Sequence, residues 1–167
     1  MKIFLIGPMG SGKSKIGRIL SEKLSISLFD IDKEIEKDLN MSITEIFASK
    51  GEIFFRNTET DYLIKTKGLR DCIVSTGGGV VEEIKNLEFL RKEANVVFLN
   101  CSVESQYENT KNSAKRPLLL TNDPKLTLQT LYEKRFDSYK KVSKLELLSD
   151  SMSNDEIANK IINHFNV

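Results

Sequence analysis

The amino-acid sequence predicts an α/β three-layer sandwich, a parallel central sheet flanked by helices, and three observations predict it. Residues 2–6 (Lys-Ile-Phe-Leu-Ile) are a short apolar run that ends at a glycine, the pattern of a strand buried on both faces of a parallel sheet. Similar short runs recur at 72–74, 96–99 and 145–148, with helical spacing between them, and that alternation builds a parallel sheet covered by helices. Six of the nine glycines form two clusters, Gly7/Gly10/Gly12 and Gly77/Gly78/Gly79, so something approaches the backbone closely at both places.

The elements follow in order. After the first strand the chain turns through Gly-Pro-Met-Gly-Ser-Gly, and from Lys13 the apolar positions Ile16, Ile19, Leu20 and Leu24 keep helical spacing. A short apolar segment at 26–29 precedes Asp30 and Asp32. Between 33 and 68 charge is dense, and Ile35, Leu39, Ile43, Ile46 and Phe47 recur every three or four residues, as in an inserted helical subdomain. Residues 109–125 are polar, weakly periodic and carry two of the three prolines, which predicts a mobile loop. Residues 154–165, with Asp155 and Glu156 in the first turn and Ile157, Ile161, Ile162 and Phe165 on one face, predict a closing helix.

Composition narrows the function. With 167 residues, 40% of them hydrophobic, the chain builds one domain, and a formal charge of +1 leaves no basic footprint for nucleic acid. Residues 1–6 hold too few apolar side chains for a secretory core, and no run approaches the roughly 18 apolar residues of a membrane span. Cys72 and Cys101 make no disulfide framework, which fits a reducing cytoplasm. The single histidine, His164, leaves catalysis to carboxylates, Lys, Arg or backbone groups. Only six of the 25 basic residues are Arg, so Arg56, Arg116 and Arg135 are candidates for work that a lysine does badly.

The octet Gly7-Pro8-Met9-Gly10-Ser11-Gly12-Lys13-Ser14 is a full G-x-x-x-x-G-K-[ST]. Its glycines let backbone N–H groups turn toward phosphate oxygens, Lys13 reaches the β/γ-phosphates and Ser14 ligates Mg²⁺. Asp30 and Asp32 at a strand's end are placed to serve a metal's water shell and a substrate hydroxyl; equally, Asp32 is placed to cap a helix starting at Lys33. Arg56 and Glu59, three apart, read as a surface pair when taken alone. Gly77–Gly79 after a strand leave N–H groups open to a ligand. Lys115, Arg116 and Arg135 taken singly read as solvated surface.

Together these strings resemble the shikimate kinases, members of the nucleoside-monophosphate-kinase-like group of P-loop enzymes. The glycine loop, the pair in Phe29-Asp30-Ile31-Asp32, the G-E-x-x-F-R-x-x-E segment from Gly51 to Glu59, the triplet Gly77 to Gly79, Arg116-Pro117-Leu118-Leu119 and the R-x-x-x-Y from Arg135 to Tyr139 occur in that family's order and spacing. The resemblance implies a single P-loop domain over 1–167, with a substrate-binding subdomain at about 31–62 and a lid at about 107–124. It implies transfer of the γ-phosphoryl of MgATP to the 3-hydroxyl of shikimate, on the route to aromatic amino acids, by a monomer.

The roles implied are Lys13, Asp32 and Arg116 in catalysis, and Gly10, Ser11, Gly12, Lys13, Ser14, Lys15 and Arg116 on ATP. Asp32, Arg56, Gly77, Gly78, Gly79 and Arg135 are implied on shikimate, Ser14 and Asp30 on Mg²⁺, with Glu59 orienting Arg56 and Arg116 supplying charge as the lid closes. Family members commonly stack an Arg over adenine where this chain has Asn109, and a proline often found near 154 is absent. Adenine is then expected to rest on backbone around 148–154, with Lys111 as a partial substitute.

Two rivals differ in testable features. Another small P-loop kinase, such as a gluconate or adenylate kinase, would share Lys13 and the lid without converging Asp32, Arg56 and Arg135. A GTP-dependent switch would carry an N-K-x-D string, which this sequence lacks.

Overall fold

The computed structural model describes residues 1–112 and 116–167. Strands β1 (Lys2–Ile6), β2 (Ser27–Asp30), β3 (Cys72–Ser75), β4 (Val96–Asn100) and β5 (Leu145–Leu148) form one sheet in the order β2-β3-β1-β4-β5, every neighbouring pair parallel. Helices α1 (Lys13–Leu24) and α7 (Asn154–Phe165) cover one face; α2 (Ile31–Leu39), α3 (Ile43–Lys65), α4 (Ile84–Lys92) and α6 (Pro124–Val142) pack into the core on the other. Helix α5 (Val103–Thr110) packs beside α6.

Strand β1 explains why the sequence is apolar there at nearly every position. Alternate side chains of a strand leave opposite faces. Ile3 and Leu5 pack with Ile16, Leu20, Ile157 and Ile161 on one side, whereas Phe4 and Ile6 pack with Ile35, Leu63, Leu90 and Tyr139 on the other. The central strand thus serves two cores, and both are dry: each of these residues is buried.

Local chemistry sets the ends that matter for the site. Asp30, rather than Asp32, caps α2: its Oδ1 accepts from the Lys33 amide at 3.4 Å, and the helix already begins at Ile31, so the cap proposed for Asp32 is corrected. Ser42 and Glu45 form a reciprocal capping box that opens α3, the Ser42 amide donating to Glu45 at 2.7 Å. Within α3 the backbone breaks at Gly51, whose φ of 81° suits only a residue without a Cβ, and the second half of the helix carries Arg56 and Glu59 toward the sheet. Within the segment expected as a mobile loop, residues 109 and 110 end α5, Pro117–Leu119 form a 3₁₀ turn, and Pro124 opens α6 with Asp123 as its cap. Both prolines stand in first turns, where a missing N–H costs nothing. Lys115 lies outside the described residues.

Helix α1 lies close to the sheet because Gly17 has no side chain: a Cβ there would come within 2.9 Å of Leu28 Cδ1 and 3.5 Å of Leu5 Cδ1. Gly17→Val adds three carbons into that space, so it should destabilise by about 1–3 kcal/mol, seen as a Tm lowered by roughly 2–12 °C in a melting curve. An unchanged Tm would mean that α1 is not pinned to the sheet here.

Candidate active site

The site stands at the C-terminal ends of the parallel strands, where ligands of open α/β sheets bind. Strand β1 delivers the chain into the glycine loop. Gly7 sits at φ 144°, and a Cβ on it would lie 2.3 Å from the Leu99 carbonyl oxygen, so the loop leaves the sheet only with a bare backbone. The loop then winds into α1, whose first residue is Lys13. Lys13 Nζ donates to the carbonyls of Gly7 at 2.7 Å and Pro8 at 2.8 Å, and more weakly to Ser11 Oγ at 3.4 Å. Burial, with the positive charge of Arg116 adding to it, lowers the Lys13 pKa to about 8. The ammonium is therefore held folded into the loop, under-compensated, and electrostatically suited to an anion.

Two carboxylates meet this cation. Asp30 stands opposite Ser75 in the β2–β3 register, and Ser75 Oγ lies 3.4 Å from Ser14 Oγ, so Asp30 and Ser14 flank one hydroxyl. Asp30 caps α2 with one oxygen, while its Oδ2 is buried without a partner. That orphan, next to a serine hydroxyl at the start of a phosphate-binding helix, fits an Mg²⁺ shell. Asp32, one helical step on, also has a buried unpartnered oxygen, and its other oxygen lies 4.0 Å from an Arg116 nitrogen. Burial and the neighbouring Asp30 raise the Asp32 pKa, against the pull of Arg116, Lys13 and Arg56.

The second set lies across the glycine triplet. Arg56 donates from Nη1 to Glu59 at 2.9 Å, and from Nε and Nη2 to Glu52 at 3.3 and 3.1 Å. Glu59 is 0% exposed, which corrects the reading of this spacing as a surface pair. Both residues lie on the half of α3 that follows the break at Gly51, among its buried positions. Burial raises the Glu59 pKa to about 7, Asp32 adding to it and Arg56 opposing. The triplet owes its composition to crowding. A Cβ on Gly77 would lie 2.1 Å from Glu59 Oε1 and 2.9 Å from Asp32 Oδ1, and one on Gly79 would lie 2.2 Å from Arg56 Nη1. Tyr139 donates its hydroxyl to the Gly78 carbonyl, tying α6 to the same turn.

These groups line two cavities. The larger, about 1320 Å³, follows the glycine loop and brings together Gly10, Ser11, Gly12, Lys13, Ser14 and Lys15 with Arg116. The smaller, about 390 Å³, is lined by Asp32, Arg56, Gly77, Gly78, Gly79, Arg116 and Arg135, with Glu59 and the apolar Phe47, Phe55 and Leu118. Met9, Asp32, Gly78 and Arg116 line both. Asp30 lines neither; it stands beside Ser75 in the sheet register, with one oxygen unpartnered.

Beyond the glycine loop the larger cavity is lined by Ser105, Asn109, Ser149, Asp150 and Asn154. Asn109 donates its side-chain amide to the Gly10 carbonyl at 2.9 Å, so it braces the loop. Lys111, expected as a partial substitute near adenine, instead pairs with Glu108 and lines a separate hollow beneath Leu119 and Leu120. An i,i+3 pairing on the helix end turns it away from the nucleotide cavity.

One site residue escaped the sequence reading. Glu82, just past the triplet, accepts from Arg135 Nε at 2.9 Å and Nη2 at 2.5 Å and from Lys134. No spacing signal links residues 53 apart; only the sheet topology brings them together.

Comparison with known proteins accords with this geometry. A family model described as Shikimate kinase matches residues 9–166. A shikimate kinase of Marinomonas sp. is 41% identical over 162 residues, spanning 96% of this chain and 89% of that one, and one of Methylococcus capsulatus is 36% identical over 163 residues, spanning 98% and 91%. Among solved structures, shikimate kinase from Acinetobacter baumannii in complex with shikimate superposes with a TM-score of 0.95 at 34% identity, covering 98% of this chain and 92% of that one. Shikimate kinase from Aquifex aeolicus gives 0.85 at 32% identity, covering 99% and 96%. A deoxyadenosine kinase of M. mycoides, at 17% identity and a TM-score of 0.65, shares the fold alone. With a family model spanning nearly the whole length and relatives this similar, the chain belongs to the shikimate kinase family.

Proposed function

We propose that the γ-phosphoryl of ATP, seated in the larger cavity, passes to the 3-hydroxyl of shikimate seated in the smaller one, at the point where Asp32 and Arg116 line both. That shared wall is the observation that carries the reading, because a donor and an acceptor meet only where their cavities join. The reaction class is that of the family, ATP-dependent phosphorylation of shikimate. The chain's own residues divide the work. Asp32, partly buried with one unpartnered oxygen and a raised pKa, accepts the hydroxyl proton as the oxygen attacks. Lys13 exchanges its loop carbonyls for β/γ-phosphate oxygens and regains full charge there, while Arg116 steadies the transferring group from the acceptor side. Arg56 and Arg135 take the shikimate carboxylate, and the absence of side chains at Gly77 and Gly79 leaves room for Glu59 and Arg56 to stand against the cavity. Ser14 Oγ and, through water, Asp30 Oδ2 would hold Mg²⁺, which when bound neutralises phosphate charge.

On this reading residues 31–62 form the acceptor-binding subdomain and 107–124 the lid of a monomeric enzyme. The buried free thiols of Cys72 and Cys101 support a cytoplasmic setting. Among the described residues no helix is long and apolar enough to cross a membrane.

A coupled ADP-release assay with MgATP and a panel of shikimate, gluconate and AMP tests the whole reading, with turnover expected on shikimate alone. Turnover on AMP or gluconate in preference would overturn it.

Asp32→Asn keeps the shape and loses the base, so kcat/KM for shikimate should fall by about two to four orders of magnitude while the KM for ATP stays within about twofold. A matching loss of ATP affinity would move Asp32 to the nucleotide side.

Glu59 supplies a pH signature. Its pKa rises from 4.5 to about 7 on folding, so between those values the folded chain holds a proton that the unfolded chain has released. This contribution to stability is full below about pH 4.5 and is lost as pH rises through about 7. Glu59→Gln removes it, so the Tm of the unmodified chain relative to the variant should decline across that window. A difference that stays constant with pH would show that Glu59 titrates as an ordinary carboxylate.

A further inference from the structure

We propose that Glu82 is a positioning residue that sets the Arg135 guanidinium for the acceptor's carboxylate, a role that rests on the reading of Arg135 as a shikimate ligand. Arg135 is 3% exposed, and a guanidinium so buried is tolerated only with a counter-charge held in good geometry. Glu82 provides it from one oxygen, taking both Nε and Nη2 of Arg135, while its other oxygen takes Lys134. One edge of the planar fork is thereby fixed, and with it the plane in which the remaining N–H groups point.

Two observations say that Glu82 acts on Arg135 from behind, outside the ligand's own space. Arg135 lines the smaller cavity; Glu82, 17% exposed, does not. The Glu82 amide donates to the Gly79 carbonyl at 2.9 Å, so the carboxylate is anchored through its backbone to the glycine triplet that forms the cavity floor. The two arginines are thus treated alike. Glu59 grips Arg56 from beneath the triplet, and Glu82 grips Arg135 from beyond it. Lys134 gives the arrangement its sign: by sharing the Glu82 charge it leaves Arg135 with net positive character toward the cavity, where an incoming carboxylate needs it. The charged groups facing Glu82 are Arg135 and Lys134 from α6 and, more distantly, Arg56 from α3, and together they outweigh burial and keep its pKa below the usual range.

The test uses the full-length enzyme with shikimate and MgATP as probes. Glu82→Gln keeps the shape but loses the charge that fixes the fork. It should raise the KM for shikimate about tenfold, with kcat and the KM for ATP within about twofold, a split that general loosening of the fold would not give. Glu82→Asp, which keeps the charge and draws it back by one methylene, should lie between, at about threefold. The double variant Glu82→Gln/Arg135→Lys should be no worse than Arg135→Lys alone within about twofold, because both act through one group.

A shikimate KM unchanged in Glu82→Gln, while Arg135→Lys raises it, overturns the positioning role and leaves the reading of Arg135 standing. A lowered KM also overturns it, since Glu82 would then compete with the substrate carboxylate. If Arg135→Lys itself has no effect, the reading of Arg135 fails and the role of Glu82 with it. Where the Gln variant does not fold, the Asp variant decides: a folded Asp variant with an unchanged KM overturns the inference.

Discussion

The site depends on one constraint, the lodging of a buried ion pair against naked backbone. The Arg56–Glu59 pair fills the space where Cβ atoms of Gly79 and Gly77 would stand, at 2.2 and 2.1 Å from those imagined atoms. Taking two such charges out of water is expensive, and a pair of this kind adds little to stability over well-packed apolar side chains. Its retention in a chain with an ample core therefore makes sense as the construction of a ligand site. The rest follows from it. Gly77 and Gly79 must lack side chains to admit the pair, and α6 reaches back through Tyr139 to the Gly78 carbonyl to hold that turn in place.

The electrostatics show a second consequence. Four cations of the cleft already have internal partners: Lys13 the loop carbonyls, Arg116 the Asp32 carboxylate, Arg56 both Glu59 and Glu52, and Arg135 Glu82; Lys15 and Arg18 line the larger cavity beside them. On the proposed reading these contacts are of two kinds. Those to Glu59 and Glu82 pre-set the geometry of Arg56 and Arg135. Those of Lys13 and Arg116 would be exchanged for phosphate and acceptor oxygens on binding. Preorganisation of this sort lowers the ordering cost of binding without adding contacts.

How far this was legible in the sequence follows the range of each interaction. The phosphate loop is eight consecutive residues followed by a helix, and its geometry is local, so it reads directly. Strand β1 reads because both its faces are buried and every residue from Ile3 to Ile6 is apolar. Arg56 and Glu59 read as a pair from their spacing, but their burial does not, because it is made by packing against the glycine triplet some twenty residues further on. Likewise the cap fell on Asp32 rather than Asp30 because the strand runs straight into α2 with no intervening loop residue to mark the boundary. Glu82 was invisible, since its partners lie on α6, beyond α4, β4 and α5, and no local spacing links it to them.

Asn109 shows what a departure at one position does to a shared fold. The residue is short and cannot lay a plane over a base, yet it is not idle. Its amide holds the Gly10 carbonyl, at a point where α5 already packs so closely that a Cβ on Gly10 would lie 2.9 Å from the Gln106 carbonyl oxygen. Away from the glycine loop the larger cavity is polar, lined by Ser105, Asn109, Ser149, Asp150 and Asn154, with Arg18 on its wall as well. If ATP takes the larger cavity as proposed, its affinity falls mainly to the end lined by Lys13 and the glycine loop, since hydrogen bonds in a cavity open to water are worth about 0.5–1.5 kcal/mol each.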